Sequence, residues 1–406
     1  MLSILNIITV INWLLISYFT FSAIYFLYFS VLSYRYKKSN YNSFNNYENN
    51  YLILIPAYKE DNVILESAIN ASIHYSSKAK YCVWVIADSL SRYTLNELER
   101  NNINTLEVSF KKSTKAKAIN KALLHIKGNY SHVILLDADN IMADKFIDEI
   151  DRYISAGYSV VQGRRIAKNS NNNLAILDGL SEGINNTIFR KGHFASGLSS
   201  ALIGSGFAIS YDLFRKTMLK ISAVGGFDKA LEYSIISKKV KIAFNANAVV
   251  LDEKVQNSKN FTNQRRRWIS AQLVYFKKYF LNGVKLLVTT GNIDAFDKAI
   301  QFALPPRLLT LFSSISFIIV HSSLWLMLKS NQLKTTLLLW TICFFICSLA
   351  ILLAIPYKDY PKSWYRPIRE LPRYAILMVS TLFRLKNANK QFIHTEHGLQ
   401  QNTTTN

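Results

Sequence analysis

The chain has 406 residues, with 48 Lys and Arg against 26 Asp and Glu, which gives a formal net charge of +22 at pH 7. This length allows one large domain with additional segments, and the basic balance suits an anionic membrane surface, an anionic substrate or a nucleic acid. Because the sequence has no long basic run, zinc-finger spacing or single-stranded-RNA signature, we expect no nucleic-acid partner. The scattered cysteines Cys82, Cys343 and Cys347 indicate neither a disulfide framework nor a metal site.

The N-terminal stretch 1–34 contains no charged side chain, and Arg35 is the first charge in the chain. It lacks the basic start and small-residue cleavage site of a signal peptide, and it is long enough to cross a bilayer core of roughly 30 Å. We therefore predict a transmembrane helix over 1–34. Arg35, Lys37 and Lys38 follow this helix and no basic residue precedes it, so residue 35 onward is expected in the cytoplasm.

A polar linker over 35–50 leads into a cytosolic block, expected over 51–268, in which strand and helix patterns alternate. This alternation predicts an α/β fold with a mostly parallel sheet and helices on both of its faces. After about residue 160 the pattern loosens. Strands are predicted at Leu52–Ile55, Tyr81–Ala87, Leu106–Phe110 and His132–Leu136, and helices at Asn62–His74, Leu95–Asn101 and Lys115–Lys127.

Two aspartates, Asp137 and Asp139, directly follow the apolar run 131–136. Ligands of parallel sheets bind beyond the carboxyl ends of the strands. In extended chain, side chains two residues apart point the same way. Two such carboxylates can hold a divalent cation, which can in turn hold a diphosphate. The pattern Asp-x-Asp is weak by itself, but its position after a buried strand predicts a ligand site.

The C-terminal third returns to apolar segments. Residues 308–328 and 335–357 are uncharged and each is long enough to cross a bilayer. Two further crossings would return the C-terminus to the cytoplasm, although Lys329 and Lys334 would then lie on the outer side, against the usual charge bias. The predicted segments are amphipathic interface helices over 269–306, two transmembrane helices over 307–357, an interfacial or re-entrant helix over 358–390 and a tail over 391–406.

Six short motifs occur in one order between roughly residues 50 and 280. They are Pro56-Ala57-Tyr58-Lys59-Glu60, Asp88, Lys115-Ala-Lys-Ala-Ile-Asn120, Asp137-Ala-Asp139, Gly204-Ser-Gly206 and Gln264-Arg-Arg-Arg-Trp268. Each match is weak alone, but six in order beside membrane segments are specific. Together they resemble the membrane-embedded family 2 glycosyltransferases, the group that includes cellulose, chitin and hyaluronan synthases. The resemblance implies a GT-A fold, which is a Rossmann-like α/β domain.

The resemblance also implies a UDP-sugar donor and a Mg²⁺ or Mn²⁺ cofactor. Asp139 is expected to coordinate the metal directly, with Asp137 bound to the metal, to a metal-bound water or to the ribose. Other roles remain open: Asp88 could cap a helix, Glu60 could favour a helix N-terminus, and Lys115 could be a solvated lysine. The expected donor-binding residues are Pro56, Glu60, Asp88, Lys115, Asn120, Asp137 and Asp139.

An inverting transfer needs a carboxylate that takes the proton of the acceptor hydroxyl. Alignment of the apolar positions after residue 232 places Glu232 where the resembled family has its aspartate base. This is a departure, because Glu232 is one methylene longer and lacks a neighbouring acid. Asp228 is the alternative base and Glu253 a weaker third. Two other interpretations remain open: Glu232 is a helix-face residue, or the enzyme is degenerate.

The motif over 264–268 combines arginines, which bind phosphate in a bidentate manner, with an indole on which a sugar can stack. The alternative is a basic amphipathic helix at the membrane surface, with Trp268 as its anchor. Arg164 and Arg165 are either further phosphate ligands or surface charges. The expected acceptor and diphosphate residues are Gly204, Ser205, Gly206, Gln264, Arg267 and Trp268.

The resulting hypothesis is a bacterial-type, multi-pass inner-membrane glycosyltransferase with a cytosolic catalytic domain. It would transfer a sugar from UDP-N-acetylglucosamine or UDP-glucose, processively, to a growing β-linked polysaccharide of the envelope or exterior. Its partners would be the bilayer, an oligosaccharide, polysaccharide or lipid-linked acceptor, and possible accessory secretion proteins. One alternative is the addition of a single sugar to a lipid-linked acceptor. Another is a catalytically degenerate membrane scaffold, which only the altered base motif supports.

Overall fold

The computed structural model describes residues 2–37, 48–77, 79–360, 364–382 and 398. In this part of the chain, an eight-stranded sheet has the order β3-β2-β1-β4-β7-β6-β8-β5. The strands are β1 (Asn50–Tyr58), β2 (Lys80–Asp88), β3 (Asn104–Val108), β4 (His132–Leu135), β5 (Ile141–Met142), β6 (Val160–Ala167), β7 (Phe207–Ser210) and β8 (Ile242–Asp252).

The first half of the sheet is parallel: β1 lies between β2 and β4, and β2 pairs with β3. The α/β fold is therefore confirmed. The sheet is more mixed than predicted, because the short β7 runs antiparallel to both β4 and β6. Gly204 and Gly206, with φ of +82° and +62°, turn the chain into β7. Because β7 is antiparallel to both of its neighbours, β6 runs parallel to β4, and β8 is parallel to β6. The carboxyl ends of β1, β2, β4, β6 and β8 therefore lie at one edge of the sheet.

Apolar residues on both faces of the sheet are covered by helices, which gives two separate cores. The strands and helices predicted between residues 51 and 136 are all present, with ends that differ by a few residues. The helices are α1 (Leu2–Leu32), α2 (Ile64–Ser72), α3 (Arg92–Arg100), α4 (Lys115–His125), α5 (Phe146–Ser155), α6 (Asn173–Asn185), α7 (His193–Ala195), α8 (Tyr211–Met218), α9 (Phe227–Ile236), α10 (Ser258–Thr290), α11 (Ile293–Ala303), α12 (Arg307–Leu328), α13 (Asn331–Ala354) and α14 (Leu371–Leu382).

Three helices within the described ranges are long and apolar enough to cross a membrane: Asn6–Arg35, Arg307–Leu328 and Asn331–Ala354. They pack on one another, with the rings of Phe317 and Trp340 stacked at 4.3 Å. The described part of α14 has 12 residues and spans about 18 Å, and the remainder of the helix predicted over 358–390 lies outside the described residues after Leu382. Apart from Gly398, the tail expected over 391–406 lies outside the described residues.

The border predicted between residues 268 and 269 falls inside one helix, because α10 continues without a break from Ser258 to Thr290. The N-terminal part of α10 carries the motif 264–268. Its C-terminal part packs against α11 and α9. One rigid element therefore joins the motif 264–268 to the helices that were expected at the membrane.

Helix α1 is tied to the α/β domain and to α11 by buried polar contacts. The Tyr25 hydroxyl donates to Asp297 Oδ1 (2.6 Å) and lies 2.8 Å from His193 Nε2. The Phe29 ring stacks on the His193 ring, with 3.6 Å between the centroids. A Cβ on Gly192 would lie 2.2 Å from the Phe29 carbonyl oxygen, so only glycine allows this close approach. These contacts fix α1, the first candidate membrane helix, relative to the sheet.

Tyr25→Phe is expected to lower the Tm of the detergent-solubilised protein by a few degrees. The change removes one hydroxyl from two buried partners, and leaving such groups unsatisfied costs about 1–3 kcal/mol. Tyr28→Phe is the matched control on the same helix, because Tyr28 is 57% exposed. Thermal unfolding measures both variants, and equal shifts would contradict an anchoring role for Tyr25.

Candidate active site

The carboxyl ends of several strands meet at one cavity of about 710 Å³. Pro56 lies near the end of β1 with Glu60 just beyond it, Asp88 ends β2, Asp137 follows β4 and Asp252 ends β8. All five line the cavity wall. Because these strands run in the same direction, residues distant in sequence converge at the ligand-binding edge of the sheet.

An acidic triad is formed by Asp137, Asp139 and Asp252, whose nearest carboxylate oxygens all lie within 4.8 Å of one another. The carboxylates of Asp137 and Asp139 converge as expected, but they do so through a turn and not in extended chain. After β4 the backbone turns, with the Asn140 N–H donating to the Asp137 carbonyl oxygen (3.1 Å). The Asn140 side-chain amide then donates to Asp252 (3.2 Å) and Asp139 (3.3 Å), which holds the carboxylates together.

Basic side chains surround this triad. Lys115 Nζ contacts the Asp137 carboxylate and donates to the Gly204 carbonyl oxygen (2.8 Å). Arg165 lies 3.7 Å from Asp137 and 3.5 Å from Asp252. Burial acts to raise the pKa of Asp137, but the charges of Lys115 and Arg165 more than offset it and lower the pKa. Asp137 is therefore ionised, and Arg165, left open by the sequence, belongs to the site.

The triad fits a hard divalent cation. Its donors are all carboxylate oxygens, which Mg²⁺ and Mn²⁺ prefer, and they already converge. Lys254 Nζ lies 2.6 Å from Asp252 and compensates part of the negative charge. A bound cation would supply positive charge to the three carboxylates. A diphosphate bound with it would supply negative charge to the surrounding Lys and Arg side chains.

The two base candidates lie one turn apart on α9, both in the cavity wall. Glu232 is 2% exposed, and its Oε1 accepts from the Leu202 N–H (2.9 Å) and faces Lys298 Nζ (2.8 Å). Asp228 is half-buried. Both contacts of Glu232 use the same oxygen, so the carboxylate is held from one side.

The third candidate, Glu253, is engaged elsewhere. Its backbone N–H donates to Asp139 Oδ2 (2.8 Å), and its carboxylate accepts from the Gly398 N–H at 3.0 Å and 3.1 Å. It lines the cavity beside the triad, whereas Asp228 and Glu232 lie on α9. This contact pattern suits a residue that supports the triad.

The α10 motif forms another part of the wall. Gln264, Arg267 and Trp268 line the cavity. Burial lowers the pKa of Arg267, while the nearby carboxylates of Asp137 and Asp228 act to raise it. Arg267 therefore lies close enough to Asp137 of the triad and to Asp228 to act on both. The motif is part of the cavity, although its helix continues toward the membrane segments.

Residues 49–271, more than half of the chain, match the family model described as glycosyltransferase like family 2. The chain belongs to this family. It is therefore a glycosyltransferase, and the resemblance inferred from the motifs is confirmed at the level of the family. No curated protein matches the chain.

Solved structures give the fold. A mannosyltransferase from Pyrobaculum calidifontis, solved with GDP-mannose and Mn²⁺, is similar over 85% of this chain and 98% of its own, with 15% identity and a TM-score of 0.51. A second similar structure is a glucosyl-3-phosphoglycerate synthase from Mycobacterium tuberculosis, solved with Mn²⁺, UDP and phosphoglyceric acid. The match covers 52% of this chain and 73% of the synthase, with 13% identity and a TM-score of 0.37. The first match supports the GT-A fold of this glycosyltransferase.

Three predicted site residues of this glycosyltransferase lie outside the cavity wall: Asn120, Ser205 and Gly206. The Asn120 amide donates to the Ile221 carbonyl oxygen (3.1 Å), which joins α4 to the loop after α8. The Gly206 N–H donates to the Leu135 carbonyl oxygen (2.7 Å). Asn120 and Gly206 thus contact the scaffold, whereas Ser205 lies next to Asp137 and helps to lower the pKa of that carboxyl. The predicted residues in the wall are Pro56, Glu60, Asp88, Lys115, Asp137, Asp139, Gly204, Asp228, Glu232, Gln264, Arg267 and Trp268.

Sequence reasoning missed the buried charges behind the site of the glycosyltransferase. Glu182 accepts from Arg165 (3.2 Å) and Arg190 (2.7 Å), and all three line the cavity. Burial acts to raise the pKa of Glu182, but Arg165, Arg190 and Lys254 outweigh it and hold the pKa far below its usual range. No local motif marks Glu182 or Arg190. Only Asp252 had a signal, since it ends an apolar strand as Asp137 follows one.

Proposed function

We propose that the protein is a metal-dependent, inverting hexosyltransferase that moves a sugar from a UDP-sugar to an acceptor held at the membrane. One observation carries the proposal: a single cavity joins the acidic triad, both base candidates and the apolar ends of the membrane helices. A donor, a base and an acceptor can therefore meet in one continuous space.

The donor end of the cavity suits a nucleotide sugar. Asp88, buried at the end of β2, can accept hydrogen bonds from a base or ribose. Asp137, Asp139 and Asp252 would hold Mg²⁺ or Mn²⁺. When bound, the cation supplies Lewis-acid stabilisation of the charge that develops on the departing diphosphate. UDP-N-acetylglucosamine and UDP-glucose, which the family resemblance suggested, are the first donors to test.

The chemistry is a single displacement. An acceptor hydroxyl oxygen attacks the anomeric carbon, and the bond from that carbon to the diphosphate oxygen breaks, with its electron pair leaving on the nucleoside diphosphate. The hydroxyl proton passes to Glu232. Lys298 and the Leu202 N–H orient this carboxylate, and Trp268 offers an apolar face for the acceptor sugar. Attack opposite the leaving group inverts the anomeric centre and gives a β-linkage from an α-linked donor.

The acceptor end of the cavity favours a molecule with an apolar part. Beyond Trp268 the wall is formed by Leu308 and Leu311 of α12, by Ile351 of α13 and by Ile355, which directly follows α13. Of the acceptors expected from the sequence, a lipid-linked acceptor suits this lining best. A polar polysaccharide would need a polar, protein-lined path. Processive addition to a growing polysaccharide stays a prediction, which the length of the product tests.

We place the catalytic domain in the cytoplasm and the three candidate spans in the inner membrane. Arg35 and Lys37 support this orientation, because basic residues are enriched on the cytoplasmic side of membrane helices. Accessory secretion proteins remain a prediction. A label that cannot cross the membrane, applied to a cysteine introduced at exposed Tyr93 in intact cells, is expected to react only after the cells are opened.

Removal of divalent cations is expected to abolish transfer by the purified, membrane-reconstituted protein, and Mn²⁺ or Mg²⁺ is expected to restore it. A panel of radiolabelled UDP- and GDP-sugars with a lipid-linked acceptor reports the donor, the metal requirement and the product length together. EDTA already saturated with Mn²⁺ is the control for side effects of the chelator.

Full activity in free EDTA would contradict the role of the triad. A preference for GDP-sugars would overturn the assignment of the donor. Absence of nucleotide release from any donor would favour the degenerate scaffold.

A further inference from the structure

Arg307 lies at the membrane end of the cavity with its charge uncompensated. Its guanidinium donates to Asn185 Oδ1 (2.6 Å) and to the Ser181 carbonyl oxygen (3.2 Å), both neutral groups of α6. Within the described part of the chain, no carboxylate lies within ion-pair distance of it. Arg307 is half-buried, and a cation withdrawn from water in this way is costly unless an anion joins it.

A second guanidinium lies along the same face of α6. Arg265 pairs with Asp178, three positions before Ser181 on that helix, so the two arginines contact positions about one turn, or roughly 5 Å, apart. The Arg265 side chain is held over the rings of Phe261 (4.9 Å) and Trp268 (4.5 Å). Two positive charges here face one carboxylate, which leaves one positive charge in excess.

Arg265 also has an unused donor. Its Nε atom is buried and has no hydrogen-bond partner among the described residues. A buried donor that lacks a partner costs free energy, and an anion oxygen would satisfy it. Both arginines lie in one cavity wall and have N–H donors available for a ligand. Such guanidinium groups bind phosphate oxygens through paired hydrogen bonds.

The surroundings decide which phosphate fits. Beyond Arg307 the wall continues with Leu308, Leu311, Ile351 and Met378. Inorganic phosphate would satisfy the arginines only, whereas a phosphorylated lipid would also cover this apolar surface. The sugar attached to such a lipid would extend the other way, past Trp268 toward Glu232.

We propose that Arg307 and Arg265 form a subsite for the phosphate of a phosphorylated acceptor lipid, separate from the cations that face the donor. This inference rests on the proposed function, because it names the acceptor class of the same cavity. The phosphate anchors the lipid at the end of α12, and its chain lies along α12 and α13. Recognition of phosphate then selects charged lipids over neutral ones of equal length.

The test measures binding without transfer. Full-length protein in detergent is titrated with farnesyl phosphate, farnesol or inorganic phosphate, and the rise in Tm gives the apparent affinity. Farnesyl phosphate is expected to bind at least about tenfold more tightly than farnesol, since hydrogen bonds between charged groups are strong. Arg307→Gln is expected to abolish this preference, and Arg307→Lys to keep part of it. The matched control is Arg366→Gln, which removes an exposed cation outside the cavity wall.

Equal affinity for farnesol and farnesyl phosphate in the wild-type protein would overturn the subsite. Equal losses in Arg307→Gln and Arg366→Gln would do so too, because they would indicate general surface charge. Stabilisation by UDP with Mn²⁺ checks that the donor end stays folded in each variant. If farnesyl phosphate binds through Arg307 but no nucleotide sugar is consumed, the proposed function fails and the subsite stands. If sugar is transferred to neutral and to phosphorylated lipid acceptors with equal efficiency, the proposed function stands but the phosphate subsite is ruled out.

Discussion

Glu232→Gln is expected to lower sugar transfer by about 10²–10⁴-fold while the affinity for UDP with Mn²⁺ stays at the wild-type level. Loss of a general base has effects of this size. The amide can still accept from the Leu202 N–H, so the local backbone keeps its hydrogen bond, but it cannot take a proton at the pH of the assay. Transfer of label from the nucleotide sugar measures the rate, and calorimetric titration measures nucleotide binding.

Asp228→Asn is the matched comparison, because it changes the competing carboxylate one turn away on the same helix. A large loss in Asp228→Asn together with near-normal transfer in Glu232→Gln would move the base to Asp228. Lys298 must be controlled as well, since it is 2% exposed and would lose its ionic partner. In the double variant Glu232→Gln/Lys298→Gln, we expect stability to recover and activity to stay low.

Local patterns in the sequence were sufficient to predict the strands and helices of the first half of the sheet. The strands and helices up to residue 136 alternate in short periods, and each buries its apolar side against its neighbour in the chain. The position of β7 could not be found in this way. It is only four residues long, its neighbours β4 and β6 are remote in sequence, and its direction depends on the two glycines with positive φ.

The same limit explains the site. Asp137 and Asp139 were found because both follow one strand. Asp252 joins them through the antiparallel pairing of β5 with β8, in which Ile141 lies opposite Leu251, and the sequence does not reveal this pairing. Asn120 shows the opposite error: it fits a motif, but its amide bonds to the Ile221 carbonyl oxygen. A motif identifies a segment, and the packing of that segment decides which side chains reach the cavity.

Asp252→Asn is the sharpest test of the triad, because no motif selected this residue. Loss of one charged ligand is expected to weaken Mn²⁺ binding in the presence of UDP by at least about 10–100-fold, the range known even for residues that only support a ligand, and to lower transfer accordingly. Asp212→Asn, which changes an exposed aspartate on α8, controls for the general loss of negative charge. Electron paramagnetic resonance of Mn²⁺ measures the affinity directly.

Two effects must be separated in this variant. Asp252 also pairs with Lys254 (2.6 Å) and Arg165 (3.5 Å), and removing one partner of a buried pair costs about 3–5 kcal/mol. Asp139→Asn also removes a triad carboxylate, one that accepts from the N–H groups of Glu253 and Asn140. If both variants lose Mn²⁺ but only Asp252→Asn lowers the Tm strongly, Asp252 has both roles. If Asp252→Asn binds Mn²⁺ like the wild-type protein, Asp252 only compensates the charges of Lys254 and Arg165, and the metal site reduces to the two aspartates after β4.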